Sequence, residues 1–516
     1  MYYQQGILIW DINMKNKKEK IKDDILMFLF FWMVTFAIIV NRYLNNLDEV
    51  WVFNTARNIA NGLLPYRDFN LVTTPGLPIL CGIFLKIFGT EMVVMRILAS
   101  ILSATIMFYI YKILNILEIK KDYIIIILAM IFSLFVEHFC IDYNFAILLI
   151  ALIILKIELS NYKKNKDFFE FNVKRELILG ILAGISITMK QTTGICFSIV
   201  FIGYKILAVR KKEEFKQFLK ISLTRILGVA IPVMLLILYL IYNEIIGDFF
   251  DYTILGIKEF KNNIPYYNLL KGDLKLLAVI VPLGIIIAFY KSIKERNMIL
   301  TILFAYSIST IIVVYPISDN IHFLIGGTIG IITLVYMLKL LINKYFNEVI
   351  NNEKLLKFIE IVTIVIISFM LVVSLYKIIG YLGDCDNYKL QNFKYIPVYD
   401  DMEECIQKVD DYILKQGKEV YILDARAGIY MIPINRYNKN YDMFLIGNIG
   451  SKGSGGIIEE LKSKENIKFL LLNNERNLNW QTPLDVIKYV KENYNKTDEI
   501  EIFDVYEKWY GEKYEK

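Results

Sequence analysis

The chain has 516 residues, of which 56% are hydrophobic, and its mean hydropathy is +0.45. These values are well above those of an ordinary soluble protein and indicate a membrane protein. A formal net charge of +6 could suit a nucleic-acid partner, but the basic residues lie between apolar runs and form no continuous patch. The composition therefore predicts the lipid bilayer, and not nucleic acid, as a partner.

The N-terminal segment, 1–24, carries a short apolar patch followed by five lysines between Lys15 and Lys22. This order is the reverse of that in a signal peptide, so we expect the first long apolar run to be a retained span. Short basic segments stay on the cytoplasmic side of a membrane. Residues 1–24 are therefore predicted to be cytoplasmic.

Apolar runs near the roughly 20 residues needed to cross a bilayer recur along the chain. Nine longer runs and a shorter pair, read as a helical hairpin, make eleven: 25–43, 92–114, 123–136, 143–157, 176–190, 191–209, 221–243, 274–290, 298–315, 321–343 and 357–379. Gly180 and Gly184, four residues apart in one run, indicate close helix packing. The pattern predicts a polytopic α-helical membrane domain over 25–379 with about eleven spans.

Orientation follows from lysine and arginine, which are retained inside when they occur in short loops. The loops poorer in positive charge, predicted to lie outside, are 44–91, 137–142, 190–194, 244–273 and 316–320. An odd number of spans puts the tail, 380–516, outside as well. We therefore predict a multi-pass protein of the plasma membrane with a cytoplasmic N-terminus and an extracytoplasmic tail.

In the tail the apolar runs shorten to strand length, and they alternate with helix-like stretches. The predicted strands are 419–424, 467–473 and 499–506, and the predicted helices are 402–416, 456–464 and 484–494, which together indicate a small α/β domain. The glycine-rich segment 447–456 lacks a nucleotide-binding pattern. We interpret it, together with NWQTP at 479–483, as turns that cover an active-site mouth or help to select an acceptor. Cys385 and Cys405 can form a disulfide if the tail faces an oxidising space.

The first outer loop, 44–91, begins with two adjacent carboxylates, Asp48 and Glu49. Asp48 is placed to cap a helix that runs to about Asn61 and stops at Gly62, with apolar residues at helical spacing. We expect this helix to lie flat on the membrane. Taken alone, the two carboxylates could serve only as a cap and as a partner of the helix dipole.

Further along, the loop reads PYRDF, with Tyr66, Arg67 and Asp68, and a PG pair opens an apolar segment, 75–88, before Arg96. This order resembles the GT-C superfamily, specifically the bacterial relatives of protein O-mannosyltransferases and of the lipid A aminoarabinose transferase. In that family an Asp-Glu motif follows the first helix, and a membrane-parallel helix, a GxxPYRDF-like turn and a second surface helix come next. The resemblance covers the general layout of most of the membrane part, whereas its specific motifs cover only short stretches.

Three further segments fit the same family. They are MKQTTG, with Lys190 and Gln191; VEHFCIDYN, with Glu137, His138 and Asp142; and YPISDNIHF, with Pro316, Asp319 and His322. Each segment has an alternative explanation that involves no chemistry. The lysine could snorkel to the headgroups, and the acidic cluster could be a solvated hairpin tip.

The resemblance implies an enzyme that moves a sugar from a polyprenyl-phosphate donor to a cell-envelope acceptor, which is a glycan, a lipid or a protein. Asp48 would be the general base, and Glu49 would orient the acceptor or the first helix. The residues implied in binding the donor are Arg67, Lys190, Arg96, His322, Tyr66 and Gln191. Oligosaccharyltransferase relatives use an acidic motif for a divalent ion, so Glu137, His138 and Asp142 are candidate metal ligands, although single-sugar transferases need no metal.

The chemistry of such a transfer agrees with this assignment. A base must take the proton of the acceptor hydroxyl as its oxygen attacks the anomeric carbon. The leaving phosphate is already a stable anion, so no second carboxyl is needed to protonate it as in a glycosidase. Its growing negative charge does need cations. Direct displacement with one base predicts inversion at the anomeric carbon.

Two other functions remain alternatives. A transporter or flippase for lipid-linked glycans would also have many spans, and it predicts charged or broken helices near the bilayer midplane. A non-catalytic scaffold or receptor would have no need for the pair of Asp48 and Glu49. The residues that suggest chemistry gather at the outer boundary, which favours the glycosyltransferase.

Overall fold

The computed structural model describes residues 2–44, 47–259, 264–345, 353–383 and 390–508. Cys385, and with it the predicted disulfide to Cys405, lies outside these residues. Up to residue 383 the described elements are mainly helices: α1 (Tyr2–Val40), α2 (Leu47–Ala60), α3 (Gly76–Phe88), α4 (Met92–Ile116), α5 (Lys121–Phe135), α6 (Tyr143–Asn165), α7 (Val173–Met189), α8 (Gln191–Gly203), α9 (Lys212–Tyr242), α10 (Ile246–Phe250), α11 (Lys275–Lys294), α12 (Met298–Ile311), α13 (Asn320–Tyr345) and α14 (Glu353–Gly383).

Each of the eleven apolar runs falls on one of these helices, which confirms the predicted class of a polytopic α-helical membrane protein. Within the described ranges, seven helices are long and apolar enough to cross a membrane by length and composition, and α3 and 298–314 are shorter apolar helices. The total of eleven spans stays a prediction. Leu223, Leu227 and Leu235 form an exposed stripe along α9, the kind of surface that a bilayer covers.

The helices α7 and α9 approach each other closely because three glycines lie between them. A Cβ atom added to Gly180 would lie 2.4 Å from the backbone oxygen of Arg225, and one added to Gly184 would lie 2.5 Å from that of Val229. Gly228 faces α7 in the same way, 2.5 Å from the oxygen of Leu177. The small-residue packing predicted from the sequence is confirmed.

A buried ion cluster joins the helices farther from the outer loops. Arg225 of α9 is fully buried, and its guanidinium pairs with Glu158 of α6 and, at 2.7 Å, with Glu176 of α7. The hydroxyls of Tyr204 and Tyr306 donate to the Glu158 carboxylate at 2.6 and 2.7 Å. Buried charges are tolerated when they are paired and hydrogen-bonded in this way. The cluster therefore fixes the relative positions of α6, α7, α9 and α12.

The tail folds as the small α/β domain that the sequence predicts. Its elements are α15 (Asp400–Lys415), β1 (Glu419–Ile422), α16 (Ala427–Met431), α17 (Gly453–Ser463), β2 (Ile467–Leu472), α18 (Leu484–Asn493), β3 (Asn495–Ile500) and β4 (Phe503–Glu507). The sheet has the order β1-β2-β4-β3, with β1 and β2 parallel and the other pairs antiparallel.

The prediction of one strand over 499–506 was wrong, because a hairpin of β3 and β4 occupies this part of the chain. The turn between them contains Glu501, whose φ of 49° is in the left-handed region. A glycine or asparagine usually marks such a turn, and neither is present at 501–502. The sequence therefore gave no local signal for the turn.

This domain packs directly on the first outer loop. The indole N–H of Trp51 donates to the carbonyl of Ala425 at 2.8 Å, and Arg57 donates to the carbonyl of Ile432 at 3.0 Å. Arg57 is fully buried by these contacts. The helix that carries the Asp-Glu pair is therefore covered by the C-terminal domain.

Candidate active site

A cavity of about 310 Å³ lies between α2, the nearby ends of the bundle helices and the C-terminal domain. Its size is at the lower end of the range for ligand pockets, about 300–1,000 Å³. Its charged and titratable lining residues come from three separate outer segments: Asp48, Asp142, Asp319 and His322. The cavity thus brings together acids and a histidine that are far apart in sequence.

Asp48 is the second residue of α2, in its first turn, and not the N-cap that the sequence suggested. Its side chain has accessible surface within the cavity, while the surrounding protein desolvates it. Burial raises the pKa of Asp48 from 3.8 to about 6, and repulsion from Asp142 and Asp319 adds to this shift against the attraction of His322 and Lys190. A carboxylate with this pKa is mostly ionised at neutral pH and still basic enough to accept a proton.

His322 lies in the first turn of α13, and Asp319 holds its ring. The imidazole Nδ1 is 2.8 Å from the Oδ1 atom of Asp319, and the backbone N–H of His322 donates to the same oxygen at 2.8 Å. An imidazole that donates from Nδ1 to a carboxylate keeps Nε2 available for a ligand. The pair therefore orients one ring nitrogen for use in the cavity.

Lys190 occupies the break between α7 and α8, where its backbone is extended. Its ammonium donates to Asn144 Oδ1 at 3.2 Å and lies 4.6 Å from the centre of the Tyr143 ring. Tyr143 itself lines the cavity. Lys190 therefore lies behind Tyr143, next to the residues that line the cavity. The neighbouring Asp142 caps α6 through a 2.7 Å bond from the Asn144 N–H.

Glu49 points away from the cavity and makes a buried pair with Arg96 of α4. The Arg96 Nε and Nη2 atoms donate to the two carboxylate oxygens at 2.9 and 3.1 Å, and both side chains are at most 2% exposed. Arg96 also donates to the carbonyls of Val40 and Arg42, at the end of α1. These contacts fix α1, α2 and α4 to one another. They also occupy the Arg96 guanidinium, which the family resemblance had made a candidate for binding the donor phosphate.

Three other residues predicted to bind the donor lie outside the cavity lining. Tyr66 is fully buried and donates to the carbonyl of Thr73 at 2.7 Å, while the Arg67 side chain is 55% exposed and pairs with Asp68. Gln191 is buried, accepts from the Thr74 N–H at 3.1 Å and donates to the carbonyls of Val72 and Thr253. These contacts shape the loop that forms one wall of the cavity.

The candidate metal ligands do not converge. Asp142 lines the cavity, His138 lines a neighbouring one, and Glu137 is exposed on the turn after α5. In the described part of the chain, no group of three or more His, Cys, Asp or Glu side chains is placed to hold a metal ion. Glu137, His138 and Asp142, as placed in the described chain, therefore do not form one metal site.

The C-terminal domain contributes one wall of the cavity. Asn448, Asn479, Trp480 and Gln481 line the same cavity as Asp48, more than 390 residues away in the chain. The segments 447–456 and 479–483 had been interpreted as turns at an active-site mouth. Trp51, on α2, also lines the cavity and had been given no role.

No protein-family model and no curated protein matches the chain. Solved structures do match it. ArnT from Cupriavidus metallidurans in the apo state matches with a TM-score of 0.55 and 10% identity over 95% of this chain and 98% of that chain. The same protein bound to undecaprenyl phosphate gives a TM-score of 0.53 and 9% identity at the same coverage.

The oligosaccharyltransferase of Archaeoglobus fulgidus in the apo form matches with a TM-score of 0.51 and 11% identity, over 87% of this chain and 69% of that chain. At these identities the likeness concerns the fold. The match to ArnT includes both the helical bundle and the C-terminal domain, since it extends over nearly all of each chain. The chain therefore shares the fold of ArnT and of the Archaeoglobus fulgidus oligosaccharyltransferase.

Proposed function

We propose that this protein is an inverting glycosyltransferase that moves a sugar from a polyprenyl-phosphate donor to an acceptor at the outer face of the membrane. The observation that carries the proposal is the desolvated carboxylate of Asp48, which shares one cavity with His322 and lies close enough to Lys190 to interact with its charge. The fold shared with ArnT, a protein crystallised with undecaprenyl phosphate, supports the donor class.

In the proposed reaction, Asp48 takes the proton from an acceptor hydroxyl as the hydroxyl oxygen forms a bond to the anomeric carbon. The bond from that carbon to the phosphate oxygen breaks, and the polyprenyl phosphate leaves with the electron pair. Lys190 stabilises its growing charge, and His322 adds to this in the imidazolium form, in which Nδ1 donates to Asp319 and Nε2–H donates to the phosphate. Because the attack comes from the face opposite the leaving group, the anomeric configuration inverts.

The remaining predicted residues have supporting positions in this mechanism. Arg96 is saturated by Glu49 and backbone carbonyls, so we assign it to positioning α2 and not to the phosphate. Arg67 lies on the surface and does not line the cavity, so we do not assign it to the donor phosphate. Tyr66 and Gln191 hold the loop of Leu71 to Thr74.

The test is transfer of label from radiolabelled polyprenyl-phosphate sugars in membranes that contain the wild type or Asp48→Asn. Loss of a general base typically lowers a rate by about 10²–10⁴-fold, so we expect product formation to fall by at least about 100-fold. Asp485→Asn, which removes an exposed carboxylate on α18, is the matched control and should keep full activity.

Folding of the variants is checked by thermal unfolding. The pKa of Asp48 is raised in the folded protein, so the ionised side chain destabilises the fold at neutral pH, and Asp48→Asn should unfold at the same or a higher temperature. Undiminished product from a folded Asp48→Asn protein would remove the proposed base.

A further inference from the structure

The wall of the cavity that faces Asp48 belongs to the C-terminal domain and carries amides and an indole. Trp480 is 43% exposed, and it lies between Asn479 and Gln481. This turn is held in place, because Asn479 Oδ1 accepts from the Gln481 N–H at 2.9 Å and the Gln481 carbonyl accepts from the Ile446 N–H at 2.9 Å. The indole is therefore presented on a fixed turn.

A second, smaller pocket of about 20 Å³ adjoins the cavity and shares Trp51, Thr55 and Asn448 with it. We call it the amide pocket, because six asparagines line it: Asn54, Asn58, Asn70, Asn438, Asn440 and Asn448. They come from both the first outer loop and the C-terminal domain. The pocket therefore exists only where the two parts of the chain meet.

Three oxygens in the amide pocket need a hydrogen-bond donor. Asn58, Asn70 and Asn448 are each at least 92% buried. Their Oδ1 atoms have no hydrogen-bond partner among the described residues. Leaving a buried acceptor unpaired is energetically unfavourable, so such groups are normally satisfied by a ligand or by water. A pocket of this volume admits about one water-sized group. A hydroxyl or hydroxymethyl group matches both its size and its chemistry.

The charges around the cavity disfavour an anionic acceptor. Its described lining contains the carboxylates of Asp48, Asp142 and Asp319 but no lysine or arginine. The nearby cation Lys190 is already assigned to the donor phosphate. An acceptor with its own phosphate or carboxylate would meet like charge with no cation to offset it. A polyhydroxylated acceptor without charge avoids this penalty.

We propose that the acceptor is a neutral carbohydrate whose ring packs on Trp480 and which inserts one hydroxyl or hydroxymethyl group into the amide pocket. The apolar C–H face of a sugar ring suits the flat indole, and the ring hydroxyls suit the surrounding amides. This inference rests on the proposed function, because it places another hydroxyl of the same sugar beside Asp48. It assigns acceptor choice to the contact between α2 and the C-terminal domain.

The experiment is saturation-transfer NMR on the full chain in nanodiscs of phosphatidylethanolamine and phosphatidylglycerol. The probes are neutral gluco- and galacto-oligosaccharides, the same sugars bearing phosphate or uronic acid groups, and a serine- and threonine-rich peptide. We expect signal from a neutral sugar, and a signal about tenfold weaker in Trp480→Ala, as for loss of an aromatic contact. Asn448→Ala should lose the signals of particular ring protons.

The controls separate this inference from the proposed function. Leu484→Ala removes an exposed apolar side chain four residues from Trp480 and should bind like the wild type. Asp48→Asn should also keep binding the sugar while it loses transfer. If the wild type binds the sugar but transfers nothing to it, only the proposed function is overturned. Trp480→Leu, a milder change, is measured together with Trp480→Ala, and both are checked by thermal unfolding.

Any one of three results overturns the proposal. The first is signal from the charged sugars or the peptide that equals or exceeds that from every neutral sugar. The second is undiminished binding in Trp480→Ala and Trp480→Leu. The third is absence of binding by all the neutral sugars.

Discussion

Asp48 and Glu49 are neighbours in sequence, but α2 directs their carboxylates to different places. Successive residues on a helix are turned by about 100°, so adjacent side chains do not share a face. Asp48 faces the cavity, and Glu49 faces Arg96. The sequence located both carboxylates at the start of an outer helix through their resemblance to a family motif. Their separate surroundings depend on how α2 is rotated against α4, which no local pattern encodes.

The environment of Asp48 predicts how activity depends on pH. The base works only when ionised and its pKa is about 6, so transfer should fall as pH drops through about 6 and then decrease about tenfold per unit. Asp142→Asn removes a charge that raises this pKa and keeps an asparagine at the N-cap of α6, so the acid limb should move to lower pH. The measurement is the initial rate from pH 4.5 to 8 in vesicles.

The control for this profile is Asp485→Asn, which should leave the acid limb where it is. A rate that stays constant down to pH 5 in the wild type would contradict the assignment of Asp48. An identical limb in the wild type and in Asp142→Asn would show that the repulsion between these two carboxylates is negligible.

At the scale of elements, the hydrophobic runs predict nearly every helix of the membrane part. A segment that crosses the hydrocarbon core must satisfy its own backbone hydrogen bonds, so an apolar run of roughly 20 residues forms a helix. The boundaries of α3 follow from Pro75 and Gly89, where the sequence also carries clear signals. Prediction fails at the hairpin of β3 and β4. Its turn contains Glu501 in the left-handed region, which glutamate rarely adopts. Packing in the domain, and not local preference, decides that turn.

The pair of Glu49 and Arg96 should be a major contributor to the stability of the outer bundle. Removing one partner of a buried pair leaves an uncompensated charge and typically costs about 3–5 kcal/mol. We therefore expect Glu49→Gln to lower the unfolding temperature clearly, and the double variant Glu49→Leu with Arg96→Met to recover much of the loss. Circular dichroism melting of the purified protein measures this.

An exposed pair supplies the comparison. The Nζ atom of Lys408 lies 2.9 Å from Oε1 of Glu404 on the surface of α15, and Glu404→Gln should leave the melting temperature almost unchanged. Equal melting temperatures for Glu49→Gln and Glu404→Gln would mean that Arg96 does not depend on Glu49. Its guanidinium would then again be a candidate for the donor phosphate.

For the whole molecule, the site is an assembly of outer segments, to which Asp48, Asp142, Lys190, His322 and Trp480 each contribute from a different part of the chain. The distribution of lysine and arginine predicts which loops share a side, and this is why the sequence could anticipate that these residues meet. The segment 479–483, which contains Trp480, was also predicted to lie at the site, but the dimensions of the cavity and the contribution of Trp51 could not be predicted. They arise from contacts between residues nearly 400 positions apart.

Membrane orientation is testable with cysteine labelling on intact cells. In a background with Cys385 and Cys405 replaced by serine, Arg67→Cys should react with an impermeant maleimide, because its position is exposed and predicted to be outside. Lys164 is exposed near the end of α6, one predicted span away from the predicted outer loop 137–142, so Lys164→Cys should react only after permeabilisation. The opposite pattern would put Asp48 in the cytoplasm and remove the proposed donor from its reach.

The hydrogen bonds from Trp51 and Arg57 to the carbonyls of Ala425 and Ile432 link the strength of the base to the presence of the tail. A chain cut after α14 would open one side of the cavity to bulk water. With that side hydrated, the pKa of Asp48 would return toward 3.8, its ordinary value. In the proposed mechanism the C-terminal domain thus contributes to proton transfer, even though none of its own side chains moves a proton.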